Sequence, residues 1–274
     1  MIKIQTLDLI DNIEHIVVPT IFPDGTSQVW KLPEEIISSL NIKITWNFEN
    51  ERELIDLVSL KELINGHIHL HIPYLPYARQ DKCRTGEWRQ NLSSNEKNNV
   101  TFNLKVFAEI LNLCQFDLVT AVDVHNENET LKFIQNFKNI PMTEIINKLA
   151  DEYDVVLFPD DGAAARYSSR IGNSKQFTCT KERDQATGQI LSHKCPQLAY
   201  PMVGSVLIVD DICDGGATFI SIGKMLKKQK VNFKVGLYVT HGIFSKGKQV
   251  LLDAGIQNIY CTNSLLKNTD GFKI

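Results

Sequence analysis

The sequence predicts an α/β protein made of two doubly wound parallel-sheet domains. Short apolar runs recur along the chain and read as buried parallel strands, because a strand covered on both faces is apolar throughout. Helical segments alternate with these runs, and several of the strands end at charged or polar residues. At Ile140-Pro141 the pattern is interrupted and a new α/β alternation begins, so we expect domains at 1–140 and 141–274.

Composition limits the class of protein. A chain of 274 residues with 43% apolar content can bury sizeable cores, and a net charge of −3 gives no general attraction for nucleic acid or anionic membrane. No apolar stretch is long enough to span a bilayer, and the N-terminus lacks the pattern of a signal peptide, so we expect a cytoplasmic protein. The six cysteines form no C-x-x-C pair, which argues against a zinc module or a disulfide framework and favours reduced thiols.

The elements follow from hydrophobic pattern, turn residues and helix start signals. In the first domain we expect strands at 14–18, 28–32, 42–48, 67–73 and 118–122, and helices at 33–40, 51–64 and 100–114. In the second we expect strands at 155–158, 176–180, 206–209, 233–239 and 257–262, and helices at 143–151 and 219–229.

The segment 206–219 joins an apolar strand to two adjacent carboxylates and a run of small residues before a helix. Asp210 and Asp211 are expected in an acidic turn at the carboxyl end of the strand, where open α/β sheets bind ligands. The next loop has no bulky side chain, so its N–H groups can converge on a phosphate; it consists of Asp214, Gly215, Gly216, Ala217 and Thr218. The combination indicates a ribose phosphate, although Asp-Gly-Gly is also a common generic turn.

A second unusual strand carries three histidines, His67, His69 and His71. Spacing of two residues places them on one face of the strand, where they could in principle bind a metal. No carboxylate or cysteine stands nearby to complete a ligand set, so a polar strand face or an interface is the favoured interpretation.

Directly after that strand, residues 74–82 read Tyr-Leu-Pro-Tyr-Ala-Arg-Gln-Asp-Lys. Arg79 offers a planar fork of donors to a triphosphate, and Gln80 can bind an adenine edge or a ribose. The segment resembles the Tyr-x-x-Tyr-Ala-Arg-Gln-Asp-Arg/Lys signature of the ribose-phosphate pyrophosphokinases (PRPP synthetases). The segment 206–219 resembles the phosphoribosyl-pyrophosphate loop that this family shares with the type I phosphoribosyltransferases. Ordinary phosphoribosyltransferases lack the first signature, because they bind no ATP.

This resemblance to a short, divergent member of the PRPP synthetase family implies the type I phosphoribosyltransferase fold for both domains. It implies an N-terminal ATP-binding domain, a C-terminal ribose-phosphate-binding domain and an active site between them. The implied ATP-binding residues are Phe22, Asp24, Arg79, Gln80, Asp81 and His125. Phe22 and Asp24 belong to a turn that in this family reaches the ATP of a neighbouring subunit, which implies a homo-oligomer, although Thr26 replaces the usual acid.

Two further segments carry implied metal and catalytic roles. Asp123-Val124-His125 resembles the family's Asp-Leu-His, and Pro159 to Arg166 resembles Pro-Asp-x-Gly-Gly-x-x-Arg, so His125 and Asp160 are the implied Mg²⁺ ligands, Asp160 also lying near the ribose. Lys181-Glu182-Arg183 is expected in a polar loop, where cations are ordinarily solvated. A Lys-Arg-Arg-like segment stands there in the family, and its first and third cations imply that Lys181 and Arg183 are catalytic.

The implied reaction moves the β,γ-diphosphate of MgATP to the 1-hydroxyl of ribose 5-phosphate, giving PRPP and AMP for nucleotide biosynthesis. Gly215 replaces a Thr usual in the loop, which keeps open a larger acceptor such as ADP-ribose, giving ADP-ribose pyrophosphate for NAD synthesis. If the chain were a phosphoribosyltransferase, we would expect no ATP-binding motif. If it were a non-catalytic regulatory subunit, we would expect the cationic catalytic residues to be lost. Both are therefore less favoured.

Overall fold

The chain folds into two units, Met1–Ile140 and Pro141–Ile274. They are seen in a computed structural model, which describes residues 1–8, 14–81, 101–172, 174–183, 190–198, 203–229 and 232–265. Each unit is built on its own sheet, and the predicted α/β class with parallel sheets is confirmed.

The sheet of the first unit has six strands in the order β2-β1-β5-β6-β7-β8. They are β1 (Ile2–Thr6), β2 (Glu14–Val17), β5 (Asn41–Trp46), β6 (His67–Ile72), β7 (Leu118–Val122) and β8 (Phe137–Ile140). Strands β5 to β8 are parallel, whereas β1 runs antiparallel to both of its neighbours. A separate hairpin pairs β3 (Thr20–Ile21) with β4 (Ser27–Gln28). The helices are α1 (Glu34–Ile37), α2 (Arg52–Leu63), α3 (Asn103–Leu113) and α4 (Glu127–Phe133).

The two faces of this sheet differ. Strands β1, β5 and β6 alternate buried and half-buried residues, and their buried side chains join those of α2 and α3 in one core. The other face is polar, and it carries Lys43, His69, His71 and Thr120 on adjoining strands. Such alternation is typical of a sheet with one apolar and one solvated face.

The histidines of β6 occupy this polar face. His69 Nε2 and His71 Nδ1 lie 2.8 and 2.9 Å from the same oxygen, Thr120 Oγ1. Burial, aided by the charge of Lys43, lowers the pKa of both imidazoles, that of His71 to about 4. Both are therefore neutral near pH 7, and each shares the Thr120 hydroxyl. His67 lies beside Asp117 at 2.9 Å.

The sheet of the second unit is parallel throughout, in the order β10-β9-β13-β14-β15. These strands are β9 (Val155–Phe158), β10 (Lys175–Thr178), β13 (Ser205–Cys213), β14 (Lys234–Gly242) and β15 (Asn258–Cys261). A two-stranded ribbon pairs β11 (Thr180–Arg183) with β12 (Ile190–Lys194). The helices are α5 (Thr143–Ala150), α6 (Asp161–Tyr167), α7 (Ala217–Lys228) and α8 (Gln249–Asp253).

This sheet is covered on both faces. Alternate residues of β9 and β13 enter two different cores, Val206 and Ile208 with α7 and α8, Leu207 and Val209 with α5 and α6. A strand buried on both faces must be apolar at every position, which explains the continuous run 206–209.

Several element predictions need correction. Strand β1 was not predicted, and the hairpin around the turn 22–26 pairs residues 20–21 with 27–28, not 14–18 with 28–32. The acidic turn is wrong, because β13 continues through Asp210 and Asp211 to Cys213, paired with β14. The polar loop for Lys181 and Arg183 is also wrong, because their backbone forms β11. In both places the hydrogen bonds of a neighbouring strand override the low strand propensity of charged residues.

Within the parts of the chain that the structure describes, no helix has the length and apolar character needed to cross a membrane.

Candidate active site

The carboxyl edge of the second sheet gathers three carboxylates. Asp160 follows β9, and its Oδ1 accepts a hydrogen bond of 3.1 Å from Ala163 N, so it caps α6. Asp210 and Asp211 lie on β13, beyond the pairing of that strand with β9, which ends at Ile208 and Leu157. Asp160 lies near enough to Asp210 for its negative charge to raise the pKa of the Asp210 carboxyl. The strand order thus concentrates negative charge at this edge.

Arg166 of α6 partly neutralises that charge. Its Nη1 lies 2.5 Å from Asp211 Oδ1 and 3.6 Å from Asp210 Oδ1, and the side chains of Arg166 and Asp211 are 16% and 3% exposed. Burial by itself lowers the pKa of the guanidinium, but the charges of Asp211 and then of Tyr167 and Asp210 raise it above its ordinary value. Arg166 therefore stays charged, and its guanidinium offsets negative charge at Asp211.

Asp210 is the less compensated member of the pair. Burial, and then the charge of Asp211, raise the pKa of the Asp210 carboxyl well above its ordinary value. Asp160 adds to this repulsion. A cation or a set of hydroxyl donors bound at this edge would relieve it, so the electrostatics favour a ligand of that kind.

The loop 214–218 leads from β13 into α7. Gly216 is the N-cap residue of α7 and has a φ of 74°, in the left-handed region that favours glycine. A Cβ atom there would also lie 2.9 Å from Leu251 Cδ2. The tight left-handed turn presents the first N–H groups of a helix of 12 residues, an arrangement that suits an anion.

A second loop borders this cradle. Ser245 Oγ donates a hydrogen bond of 2.6 Å to Asp214 Oδ1. A Cβ atom on Gly215 would lie 3.4 Å from Lys246 Cε and 3.6 Å from its Cδ. The aliphatic stem of Lys246 therefore covers the position where the family's Thr would stand, and a cationic side chain borders the cradle.

The ribbon β11–β12 begins at the same edge. Cys179 N donates to Phe158 O at 2.9 Å, and His193 Nε2 lies 3.3 Å from Pro159 O. Lys181 pairs with His193 in the ladder, so the backbone of Lys181 starts close to the strand exit that carries Asp160. Arg183 follows two residues later on the same strand.

In the first unit, the exits of β6 and β7 bring two predicted segments together. Asn126 Nδ2 donates to Asp81 Oδ2 at 2.7 Å, which links the segment 74–81 to the turn that carries His125. Tyr77 and Asp123 take left-handed φ values of 61° and 42°, uncommon for residues with a side chain and frequent at functional sites. Asp81 is buried, whereas His125 is half-buried.

Specific contacts hold the segment 74–81. Tyr77 OH donates to Glu51 Oε1 at 2.5 Å, and burial followed by this contact raises the pKa of Tyr77 to about 12. Gln80 Oε1 accepts from Asn103 Nδ2 at 2.6 Å. Arg79 and Gln80 are exposed, so the turn presents a cation and an amide to solvent at the carboxyl edge of β6.

Phe22 and Asp24 lie in the exposed turn between β3 and β4. Asp24 Oδ1 accepts hydrogen bonds from Thr26 N and Thr26 Oγ1, at 3.0 and 2.7 Å, and these contacts lower the pKa of Asp24. Thr26, which replaces the family's acid, thus shapes the turn. Ser27 Oγ, bonded to Asp56 Oδ1 at 2.5 Å, ties the hairpin to α2.

No protein-family model matches the sequence. A curated protein named ribose-phosphate pyrophosphokinase, from Mycoplasmopsis pulmonis, is 29% identical over 274 aligned residues, which cover 92% of this chain and 77% of that protein. One of the same name from Sulfurisphaera tokodaii is 26% identical, covering 96% of this chain and 87% of the relative. The crystal structure of phosphoribosylpyrophosphate synthetase from Mycobacterium smegmatis matches with a TM-score of 0.68 at 20% identity, covering 93% of this chain and 83% of that one.

These relatives support a divergent member of the ribose-phosphate pyrophosphokinase family. The fold agrees, since that structure shares the type I phosphoribosyltransferase fold of both units. Members of the family are diphosphotransferases, so the chain is an enzyme of that transferase class.

Three residues at the second sheet's carboxyl edge were missed as site residues. Arg166 closes the Pro-Asp-x-Gly-Gly-x-x-Arg pattern, so its position in the motif could have identified it. Ser245 and Lys246 carry no such signal, because only the fold brings their loop beside Asp214 and Gly215.

Proposed function

We propose that this protein transfers the β,γ-diphosphoryl group of ATP to the 1-hydroxyl of ribose 5-phosphate, giving PRPP and AMP. The observation that carries the proposal is the continuity of β13 with the loop 214–218: two carboxylates, Asp210 and Asp211, stand directly before a helix-start anion cradle. A ribose 5-phosphate carries ring hydroxyls that the carboxylates can bind and a phosphate that the cradle can bind. Membership of the ribose-phosphate pyrophosphokinase family supports the same substrate class.

In this proposal the second unit binds the acceptor. Asp210 and Asp211 accept hydrogen bonds from ribose hydroxyls, and Arg166 keeps Asp211 ionised for that role. The cradle of Asp214, Gly215, Gly216, Ala217 and Thr218 binds the 5-phosphate with backbone N–H groups. Hydroxyl donors directed at Asp210 would stabilise its anionic form, which burial and Asp211 disfavour in the free enzyme.

The first unit binds the nucleotide in this proposal. Arg79 and Gln80 are exposed at the end of β6, and the Asp81–Asn126 contact couples them to the turn of His125. Arg79 would neutralise triphosphate charge and Gln80 would bind the nucleoside. Phe22 and Asp24 are proposed to contact ATP from the exposed turn, in a homo-oligomer as the resemblance implies.

Mg²⁺ is the metal ion that the proposed reaction would use. Among the described residues, no group of three or more His, Cys, Asp or Glu side chains could hold a metal. Mg²⁺ commonly takes only one or two protein ligands and completes its shell with water and substrate phosphates. In the second unit Asp160 fits such a role, because it adds to the like-charge crowding around Asp210. His125 is proposed as a ligand on the resemblance of its segment alone. When bound, the ion would neutralise phosphate charge.

The reaction needs positioning and charge neutralisation more than covalent participation by the protein. The acceptor 1-hydroxyl oxygen attacks the β-phosphorus, the bond between that phosphorus and the bridging oxygen to the α-phosphate breaks, and AMP leaves. The hydroxyl proton is released. Lys181 and Arg183, on β11 beside the exit of β9, are proposed to stabilise the charge on the transferring group.

The loop beside the cradle favours a second acceptor. Gly215 lacks the hydroxyl that the family's Thr supplies, and the stem of Lys246 covers that position. A phosphate joined to a second phosphate through an anhydride needs fewer hydrogen-bond donors than a terminal monoester does. The second phosphate places an additional negative charge beyond the first. Lys246 would meet that second phosphate, so ADP-ribose is the alternative acceptor, giving ADP-ribose pyrophosphate for NAD metabolism.

Product analysis tests the proposed reaction with each of the two acceptors. The enzyme is incubated with ATP, Mg²⁺ and either ribose 5-phosphate or ADP-ribose, and products are resolved by anion exchange and mass spectrometry. We expect one acceptor to gain a diphosphate while AMP appears in equal amount. Formation of ADP, or no AMP with any acceptor, would contradict the proposal.

Variants then separate the two acceptors. Gly215→Thr should favour ribose 5-phosphate, and Lys246→Met should weaken ADP-ribose use, with Lys248→Met as a matched control on the same loop. Equal effects of Lys246→Met and Lys248→Met would remove the case for the larger acceptor.

A further inference from the structure

Two cysteines flank the ribbon that carries Lys181 and Arg183. Cys179 directly precedes β11, and Cys195 directly follows β12. The last pair in the ladder is Thr180 with Lys194, so Cys179 and Cys195 are the next residues outward on the two strands. Extending the ladder by one pair places Cys179 opposite Cys195 at the base of the ribbon.

This position suits a disulfide. Directly opposed residues in antiparallel strands have Cα atoms about 4.5 or about 5.5 Å apart, depending on the type of pair. Both separations lie within the range of about 4.4–6.8 Å that disulfides require. The side chain of Cys195 packs against the core that contains Cys179, and both residues are free cysteines. Little backbone movement is therefore needed to join them.

The thiols differ in reactivity. Cys179 is fully buried, whereas Cys195 is half-buried, and a hydrogen bond from Cys179 lowers the pKa of the Cys195 thiol. The other described cysteines behave oppositely, since burial raises the pKa of Cys114, Cys213 and Cys261 to about 11, about 12 and about 11. Thiolate fraction and access together determine cysteine reactivity, so Cys195 should react first.

The two ends of the ribbon are anchored to different elements. Cys179 N donates to Phe158 O of β9 at 2.9 Å. On the other side, Gln229 at the end of α7 donates through Nε2 to Pro196 O at 2.9 Å and accepts from Leu198 N at 3.1 Å. A covalent bond between Cys179 and Cys195 would link these anchors and restrict any change of angle at the base of the ribbon.

We propose that Cys179 and Cys195 form a redox-modification site, in which a reversible disulfide at the base of the β11–β12 ribbon restrains the segment that carries Lys181 and Arg183. The oxidant is a low-molecular-weight disulfide of the glutathione type. The Cys195 thiolate attacks one sulfur of the oxidant and releases one thiolate, forming a mixed disulfide. The Cys179 sulfur then displaces the second thiolate from Cys195 and gives up its proton. Two protein thiols are oxidised by two electrons, and the oxidant is reduced to two thiols.

The bond has a functional consequence that rests on the proposed function. Catalytic segments that must close over substrates lose rate when their motion is restricted. The disulfide therefore lowers turnover several-fold, and a dithiol reductant restores it.

The test uses full-length protein in a Cys83→Ser background, since Cys83 lies outside the described residues. The protein is exposed to oxidised glutathione, and tryptic peptides are mapped with and without reductant. We expect a cross-linked peptide pair joining Cys179 to Cys195, loss of turnover that dithiothreitol reverses, and neither effect in Cys195→Ser. Cys261→Ser is the matched control and should cross-link like the parent.

The outcomes separate this inference from the proposed activity. No Cys179–Cys195 cross-link under conditions that fully oxidise a model dithiol peptide overturns the site. Equal loss of turnover in Cys195→Ser, or a complete cross-link without loss of turnover, overturns the regulatory role. If the reduced enzyme has no activity, the proposed function has failed. Hydrogen exchange of the β11 amides then tests whether the disulfide restrains the strand. Slower exchange on oxidation supports the restraint, and unchanged exchange overturns it.

Discussion

Arg166 Nη1 lies 2.5 Å from Asp211 Oδ1, and this ion pair joins helix α6 to the end of β13. Asp210 stands next along the strand, and its Oδ1 is 3.6 Å from the same nitrogen. The guanidinium of Arg166 therefore lies closer to the carboxylate of Asp211 than to that of Asp210. Asp211 is compensated, whereas Asp210 has a raised pKa caused by burial and by Asp211.

This unequal pairing predicts that Asp210→Asn and Asp211→Asn have opposite effects on stability. In the folded protein the pKa of Asp210 is raised, so the carboxylate costs stability once pH rises above the unfolded value of about 3.9. Asp210→Asn removes that cost and should raise Tm by a few degrees at pH 8, with no gain near pH 3. Asp211→Asn leaves Arg166 without its nearer partner and should lower stability, by up to about 3 kcal/mol. Thermal unfolding from pH 3 to 8 checks both, and shifts of the same sign would contradict the unequal pairing.

Gly216 and Gly247 form a matched pair for testing the cradle. Both have left-handed φ values, 74° and 72°, but a Cβ on Gly216 meets Leu251, whereas one on Gly247 meets nothing within 4 Å. Each Ala variant should lose about 1 kcal/mol from backbone strain. Only Gly216→Ala should also raise the KM for the acceptor, by tenfold or more. Denaturant titration and steady-state kinetics measure the two effects, and equal KM values would argue against the cradle.

Lys181 and Arg183 should matter for turnover more than for binding. Removing a cation that acts mainly on the transition state costs about 3–4 kcal/mol, so each Ala variant should lose a hundredfold or more in kcat with a small change in KM. Glu182→Ala is the control between them and should change kcat little. If the three variants behave alike, the strand carries no catalytic pair.

Asp160 combines two roles that substitutions can separate. Its Oδ1 caps α6 through Ala163 N, and Asn can make the same cap. Asp160→Asn should therefore retain stability but raise the Mg²⁺ concentration needed for half-maximal activity. Asp160→Ala should show the same defect and lose about 1 kcal/mol of stability as well. An unchanged Mg²⁺ dependence in Asp160→Asn would remove Asp160 from the metal site.

The polar face of the first sheet predicts a loss of stability in mild acid. Burial and the Lys43 charge lower the folded pKa of His71 to about 4, against about 6.5 when unfolded. The unfolded chain therefore binds the proton first, so stability falls as pH drops from about 6.5 to about 4. His71→Gln should flatten that part of the curve of unfolding free energy against pH. His67→Gln is the control, since His67 is exposed beside Asp117.

Local sequence predicts several structural features of the candidate site. The run 206–209 predicts a buried strand, because a doubly covered strand needs apolar residues at every position. The binding roles of the aspartates after it stay predictions. The segment 74–82 resembles a PRPP synthetase signature, so it favours an ATP-binding protein over a phosphoribosyltransferase. Arg166 belongs to the same sequence motif as Asp160. Its ion pair with Asp211 is a tertiary contact that the motif does not predict.

Other features depended on which strands became neighbours. Whether Asp210 and Asp211 form a turn or a strand is decided by hydrogen bonds from β14, and whether Lys181 lies in a loop or a ribbon is decided by β12.

The sequence by itself determined the α/β class, the boundary near Pro141 and the chemistry available at each strand exit, because these follow from local pattern and residue type. Only the tertiary structure decided that Arg166 pairs with Asp211, that Lys246 covers Gly215 and that Cys179 faces Cys195. Those contacts join positions separated in the chain, and a pKa depends on burial as well as on nearby charges, so no local segment determines it alone.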